Sequence, residues 1–293
     1  MLKPTPRSIL ETLFPYLKIA AAYARQVQPM IAARPSKDSD SFFGAALSDA
    51  DLSIQTLVEV ALLGKFPEIR FYGEEYEQSY NTKYFRAITL GEKDDYLVTL
   101  DPIDGTQFYL DGHSNYQIIL AVLNWDEFEA AIAITPAQNT YCFALQGEGC
   151  WQGSLDTELA NCKPLQVNQS SSTSPAILLG WGMETLASSL KDYYTVIDVA
   201  TSYSKEVQIP NVNGMLSGDL AGVVIRSGKF IDGAALAFLA QEAGCIVTTH
   251  TGATLPPLHE CADYSRPGLV ISTSATVHQH LWRRSPLCHK YLG

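Results

Sequence analysis

The sequence lacks most of the features that would assign it at a glance. Its six cysteines, Cys142, Cys150, Cys162, Cys245, Cys261 and Cys288, form no CxxC pair and have no histidine at zinc-finger spacing. That pattern excludes the common structural zinc modules and leaves mostly buried free thiols. Free thiols fit a reducing compartment, hence a cytoplasmic protein. Positive charge is scarce: 20 Lys and Arg face 31 Asp and Glu, a net charge of −11. This argues against a nucleic-acid polymer or an anionic membrane as principal partner. No apolar run is long enough to span a bilayer. The N-terminal stretch, broken by Glu11, Pro15 and Lys18, reads as neither signal peptide nor anchor. Internal repeats and low-complexity tracts are missing too. A small anionic ligand stays open, because carboxylates that gather a divalent cation reverse the local sign.

What is present is enough for one large or two ordinary globular units: 293 residues, 46% hydrophobic and 17% charged. The spacing predicts a helix from Tyr16 to about Ala33 with Pro15 at its first turn, then a polar loop over 34–44. Ser48 is placed to cap a second helix with the apolar face Ile54, Leu57, Val58, Ala61 and Leu62, closed by Gly64 and Pro67. "IRFYGEE" and "DDYLVTLD" are short strands that deliver acids at their C-terminal ends. Residues 115–151 read as three strands joined by turns at 124–127 and 136–139, an antiparallel meander with the preceding helices over one face. A Ser-rich stretch over 168–175 marks the boundary between a half spanning 1–170 and a half spanning 171–293. The second half reads as strand (176–182), helix (183–194), strand (195–200), an amphipathic helix in "DGAALAFLAQEAG" ended by Gly244, strands at 245–250 and 268–274, and a closing helix from about Ala275. The class is α/β in two packed halves.

The chemistry concentrates in "LVTLDPIDGTQF", residues 97–108. A strand end followed by Pro and a Gly turn puts Asp101 and Asp104 on one side of a tight bend. The Ile103 carbonyl lies between them and the Gly105 and Thr106 amides beyond. Hard divalent cations want carboxylate and carbonyl oxygens, and free amides at a turn suit phosphate oxygens. An Asx-type turn capped by acids reads the same segment equally well. Glu74 and Glu75 end the preceding strand and could be a solvated loop. Asp232 opens the late apolar helix and could be its N-cap. Asp51, three residues after Ser48, could be a capping-box acid. A phosphatase with a DxD nucleophile is disfavoured, because the spacing here is DxxD with Pro after the first Asp.

Taken in order, "LSDAD", "YGEE", "TLDPIDGTQF" and "DGAALAFLAQEAG" resemble the signatures of the inositol monophosphatase family of Mg²⁺-dependent, typically lithium-sensitive phosphatases, over roughly residues 45–250. The resemblance implies a layered αβαβα sandwich of the inositol monophosphatase and fructose-1,6-bisphosphatase type. It implies two or three Mg²⁺ ions held by Glu74, Asp101, the Ile103 carbonyl, Asp104 and Asp232, with Glu74 also counted in the catalytic group. Thr106, partnered by Asp51, would orient and deprotonate the attacking water, and the Gly105 and Thr106 amides would hold phosphate. The implied activity is hydrolysis of a small sugar or cyclitol phosphate by metal-activated water. Rivals are a 3′(2′),5′-bisphosphate nucleotidase or a fructose-1,6-bisphosphatase and, from another class, a noncatalytic metal-binding partner protein. Family members are commonly homodimers, so the resemblance admits a homodimer here.

Departures fall on the substrate side. The residue seven before Asp232, acidic in inositol phosphatases, is Ile225, and Ile231 stands where Trp is frequent. Asp219, Arg226 and Lys229 are nearby charges that could meet a ligand or serve as surface polarity. His113, just past the DPIDGT loop, reads as structural or solvated. His278 and His280, two apart on a helix, do not share a face as zinc ligands would.

Overall fold

The computed structural model describes residues 3–33, 48–75, 89–167 and 175–284. The predicted loop 34–44, the Ser-rich boundary 168–174 and Cys288 lie outside these. The five described cysteines are free thiols.

The first helix, α1 (Pro6–Val27), starts at Pro6 and not at Tyr16. Its start is fixed by a capping box: Thr5 Oγ1 accepts from the Ser8 amide at 3.2 Å, and Ser8 Oγ accepts from the Thr5 amide at 2.8 Å. Pro6 at the first helical position costs nothing, and Ile9, Leu10, Leu13 and Phe14 extend the buried face. Pro15 therefore sits inside the helix, on its exposed side, where water can take the carbonyl left without a donor. α2 (Asp49–Lys65) follows with Ser48 as N-cap, as predicted.

The first sheet comprises β1 (Arg70–Gly73), β2 (Leu97–Asp104), β3 (Gln117–Leu123), β4 (Phe128–Thr135), β5 (Thr140–Leu145), β6 (Gly149–Ser154) and β7 (Lys163–Leu165), in sequence order, with the five-residue α3 (Thr106–Leu110) after β2. β1 and β2 are parallel and the other pairs antiparallel. The meander runs two strands, β6 and β7, beyond the three predicted. The second part supplies β8 (Ala176–Leu179), α4 (Ala187–Leu190), β9 (Thr195–Asp198), α5 (Val199–Ser202), α6 (Gly214–Ser217), β10 (Gly222–Lys229), α7 (Gly233–Glu242), β11 (Ile246–Thr249), β12 (Ser265–Ser272) and α8 (Ala275–Arg284). Its five strands form a sheet in the order β11-β12-β10-β8-β9. The helix expected over 183–194 shrinks to a 3₁₀ turn and α4.

Burial orders these elements into five layers. β3 is buried on both faces: Ile118, Leu120 and Val122 pack toward α1 and α2, while Ile119, Ala121 and Leu123 pack toward α7. α7 in turn presents Ala235, Phe238 and Leu239 to the first sheet, and Ala237 and Ala240 to Val223, Leu269 and Ile271 of the second. Leu190, Val277 and Leu281 cover the outer face of the second sheet. The order is helices, sheet, helix, sheet, helices, the αβαβα sandwich implied by the resemblance. α7 is not amphipathic as expected. Every residue from Gly233 to Ala240 is buried, the pattern of a helix with protein on all sides. Leu239→Ala is expected to lower stability by about 2–5 kcal/mol, read as a lower urea midpoint. Among the described residues no helix is long and apolar enough to cross a membrane.

Candidate active site

The site is built where β1 and β2 end side by side. Gly73 is level with Leu100, and the Glu74 amide donates to the Leu100 carbonyl at 3.1 Å, which sets Glu74 next to Asp101. The β2–β3 ladder slips between Asp101 and Asp104, a bulge that includes Pro102, whose missing N–H cannot serve the ladder. Asp101 Oδ1 accepts from the Ile103 amide at 3.1 Å, so the Asx turn considered from sequence is present. Gly105, at φ +85°, then swings the chain into α3.

Thr106, the first residue of α3, is buried. Its hydroxyl lies 3.1 Å from Asp51 Oδ1 and 3.0 Å from the Ile103 carbonyl oxygen, one proton shared between two acceptors. Asp51 is completely buried at the start of α2, where its other oxygen accepts from the Ser48 amide at 2.9 Å and from the Ser48 hydroxyl. Asp232 is the N-cap of α7 and accepts from the Gly233 amide. The turn, the capping box and the N-cap weighed from sequence are all present, and they fix where Asp101, Asp51 and Asp232 stand.

Glu74, Asp101, Ile103, Asp104, Gly105, Thr106 and Asp232 line one pocket of about 280 Å³. Asp51 stands behind Thr106. Burial, then the charges of Glu74, Asp104, Asp232 and Glu75, holds the Asp101 carboxyl well above the usual carboxylate range. Burial and Asp232 push Asp104 up to about 7, against a hydrogen bond from Asn211. Burial pushes Asp232 up to about 6, opposed by Lys229 and by the Gly233 amide. Among the described residues no group of three or more His, Cys, Asp or Glu side chains stands gathered as a ready cation cage. The four acids line one pocket without closing into such a cage. The donor set itself, carboxylates plus a backbone carbonyl, has the chemistry of a hard-cation site.

Two residues were missed or undervalued. Asn211 Nδ2 donates to Asp104 Oδ2 at 2.7 Å and lines the pocket. Its signal, an Asn in "NVNG", is too common to stand out. Lys229, weighed as a ligand contact or a surface charge, is exposed and lines the pocket; desolvation works to lower its pKa, but Asp232, Glu74 and Asp101 carry it above the ordinary value. Other candidates fall elsewhere. Asp219 is exposed and bonded by Ser217, and Arg226 is exposed away from the pocket lining. His113 is buried with Nε2 2.9 Å from the Lys205 carbonyl oxygen. His278 meets Ser272 and Thr248, and His280 meets Tyr194. The far wall of the pocket is apolar: Leu178, Trp181, Val199, Val212 and Ile225.

This geometry agrees with what the chain resembles. The profile of the Inositol monophosphatase family matches residues 12–285. A putative Nus factor SuhB of Neisseria meningitidis serogroup A is 28% identical over 254 residues, covering 81% of this chain and 88% of the relative. Among solved structures, Thermotoga maritima IMPase superposes with a TM-score of 0.70 at 17% identity, over 96% of this chain and 97% of that one. An IMPase/NADP phosphatase complexed with Mg²⁺ and phosphate gives 0.64 at 19%, over 91% and 92%. With an αβαβα sandwich carrying buried acids and a Thr–Asp pair at one pocket, and a family profile matching almost end to end, the chain belongs to the inositol monophosphatase family and is a phosphoric monoester hydrolase.

Proposed function

We propose that the protein is a Mg²⁺-dependent phosphomonoesterase acting on a small phosphorylated metabolite, with a sugar or cyclitol phosphate as substrate class. The observation that carries this reading is the buried Thr106–Asp51 pair behind a pocket lined by Glu74, Asp101, Ile103, Asp104 and Asp232. Burial raises the carboxyl pKa values of Asp101, Asp104 and Asp232, with their neighbours' negative charge adding to it, and a cation among them would offset that charge. Glu74, Asp101, the Ile103 carbonyl, Asp104 and Asp232 would hold two or three Mg²⁺ ions. When bound, Mg²⁺ supplies positive charge that offsets the phosphate's own and acidifies adjacent water.

The rest is done by the chain. With its proton donated to Asp51, the Thr106 hydroxyl has lone pairs free to accept from water, which orients that water toward phosphorus. Asp51, kept in place by Ser48, is the onward acceptor for the proton. The Gly105 and Thr106 amides, at the turn into α3, would donate to phosphate oxygens. Lys229 adds a positive charge at the pocket edge. Phosphoryl transfer asks for positioning and charge more than for a covalent intermediate, and this arrangement supplies both.

The apolar wall favours a second reading of the substrate. Ile225 occupies the position where the inositol phosphatases carry an acid for sugar hydroxyls, and with Trp181 and Val212 it suits a flat or apolar group better than a polyol. A nucleoside 3′,5′-bisphosphate has such a group. The test is phosphate release with Mg²⁺ from inositol phosphate, fructose 1,6-bisphosphate, histidinol phosphate and adenosine 3′,5′-bisphosphate. Turnover of any supports the phosphatase reading, the ratio of nucleotide to inositol phosphate rates decides between the two substrate classes, and silence on all four sinks it.

A further inference from the structure

A larger cavity, about 410 Å³, lies apart from the acids, walled by the β3–β4 turn, by α7 and by the segments flanking β11 and β12. Much of its lining is apolar, including Phe128, Phe238, Leu255 and Leu269, and its one cationic lining residue is Arg266. Arg266 is only 7% exposed. The polar contact of its guanidinium among the described residues is the Cys261 sulfur, at 3.9 Å. Burial pushes the Cys261 thiol up despite Arg266, so at neutral pH it is no counter-ion. The two acids of the cavity pair with other groups: Asp126 lies 3.2 Å from His259, and Glu127 accepts at 2.9 Å from Gln146, which is also on the lining. A guanidinium taken out of water with no carboxylate opposite is costly, and its planar fork has the geometry of a carboxylate-binding group.

We propose that this cavity is a binding site for a small organic monocarboxylate with an apolar body, the carboxylate seated on Arg266 and the body packed against Phe128, Phe238 and Leu269. One buried cation matches one negative charge, whereas a dianion such as a phosphate ester would leave its second charge without a partner on this lining. The volume is that of an ordinary small-molecule pocket. The occupant would lie against α7, the helix capped by Asp232 at its start, so cavity and acid pocket share one rigid element.

The experiment is calorimetric titration of the metal-free full chain with 3-phenylpropionate, with 3-phenylpropionamide as the neutral control. Saturable binding of the acid, at least tenfold weaker for the amide, is expected. Arg266→Met, which removes a buried charge and keeps the side chain's bulk, should fold and lose at least tenfold in affinity for the acid. Thr254→Trp, an exposed position on the cavity lining, should also weaken binding by filling the opening. The proposal is overturned if the acid shows no saturable binding, if the amide binds as tightly, or if both variants bind the acid like the wild type.

Discussion

Thr106→Ala is expected to lower Mg²⁺-supported phosphate release by about 10²–10⁴-fold, the usual worth of a positioned acid–base group, with the fold intact. The hydroxyl is the link between the pocket and Asp51, at 3.1 Å, and nothing else in the DPIDGT loop offers a side-chain oxygen there that is not a carboxylate. Removing it leaves Asp51 capped by the Ser48 amide and hydroxyl, so α2 keeps its N-terminus. Thr106→Ser restores the oxygen and should recover most of the rate. Asp51→Asn should fall about as far as the alanine variant, because an amide accepts the hydroxyl's proton but takes up no further one. The loss should appear in kcat more than in KM, since the pair acts on water and not on substrate. A Thr106→Ala enzyme with wild-type kcat would move water activation to another group.

Magnesium is expected to raise the melting temperature strongly at pH 8 and weakly at pH 5. Asp101 is held well above the usual carboxylate range, Asp104 at about 7 and Asp232 at about 6, against 3.8 for an unperturbed Asp. In the metal-free protein the folded state therefore binds more protons than the unfolded chain between about pH 4 and 7. The stability this contributes is complete below the unfolded value and is lost as pH rises through the folded values. Cation binding displaces the same protons and strengthens over the same interval. At a Mg²⁺ concentration near 100 times its Kd the stabilisation is about 2.7 kcal/mol, or roughly 4–5 °C for a chain of this size. His250 and His278, buried with pKa values below the ordinary 6.5, act in the opposite sense: their neutral folded forms cost stability as pH drops below that value. The two contributions overlap near pH 6.5, and the difference with and without Mg²⁺ at each pH isolates the acids. Differential scanning fluorimetry with EDTA or Mg²⁺ across pH 5–8 measures it. A metal increment independent of pH would mean that protons and Mg²⁺ do not compete for these carboxylates.

Much of this was legible because local chemistry and tertiary role coincide. The turns at 124–127 and 136–139 separate runs of β-branched and small apolar residues, and those runs are β3, β4 and β5. Ser48 and Asp51 announce α2 by capping chemistry, and "DPIDGT" carries its bend in Pro102 and Gly105. Where the two diverge, the reading slips. Pro15 looked like a helix start because a proline is cheapest there, yet the Thr5–Ser8 cap and the buried Ile9 and Leu13 outweigh one forfeited hydrogen bond. β10 went unread because "GVVIRSGK" turns polar halfway, though its first half is a central strand between β8 and β12. Asn211 reaches the pocket from a segment with no chemical signature of its own, and nothing in the sequence separates Lys229, which lines the pocket, from Asp219 and Arg226, which do not.

The placement of α7 has a further consequence for how the chain acquires its structure. One helix fills the space between two sheets, and each sheet completes an interior face with it. Chain divided near residue 170 would leave Ile119, Ala121 and Leu123 facing water on one piece, and Phe238 and Leu239 on the other. Neither piece closes its interior by itself, so assembly is expected to be cooperative across the whole length, with Asp232 reaching the pocket in the same event that brings the sheets together.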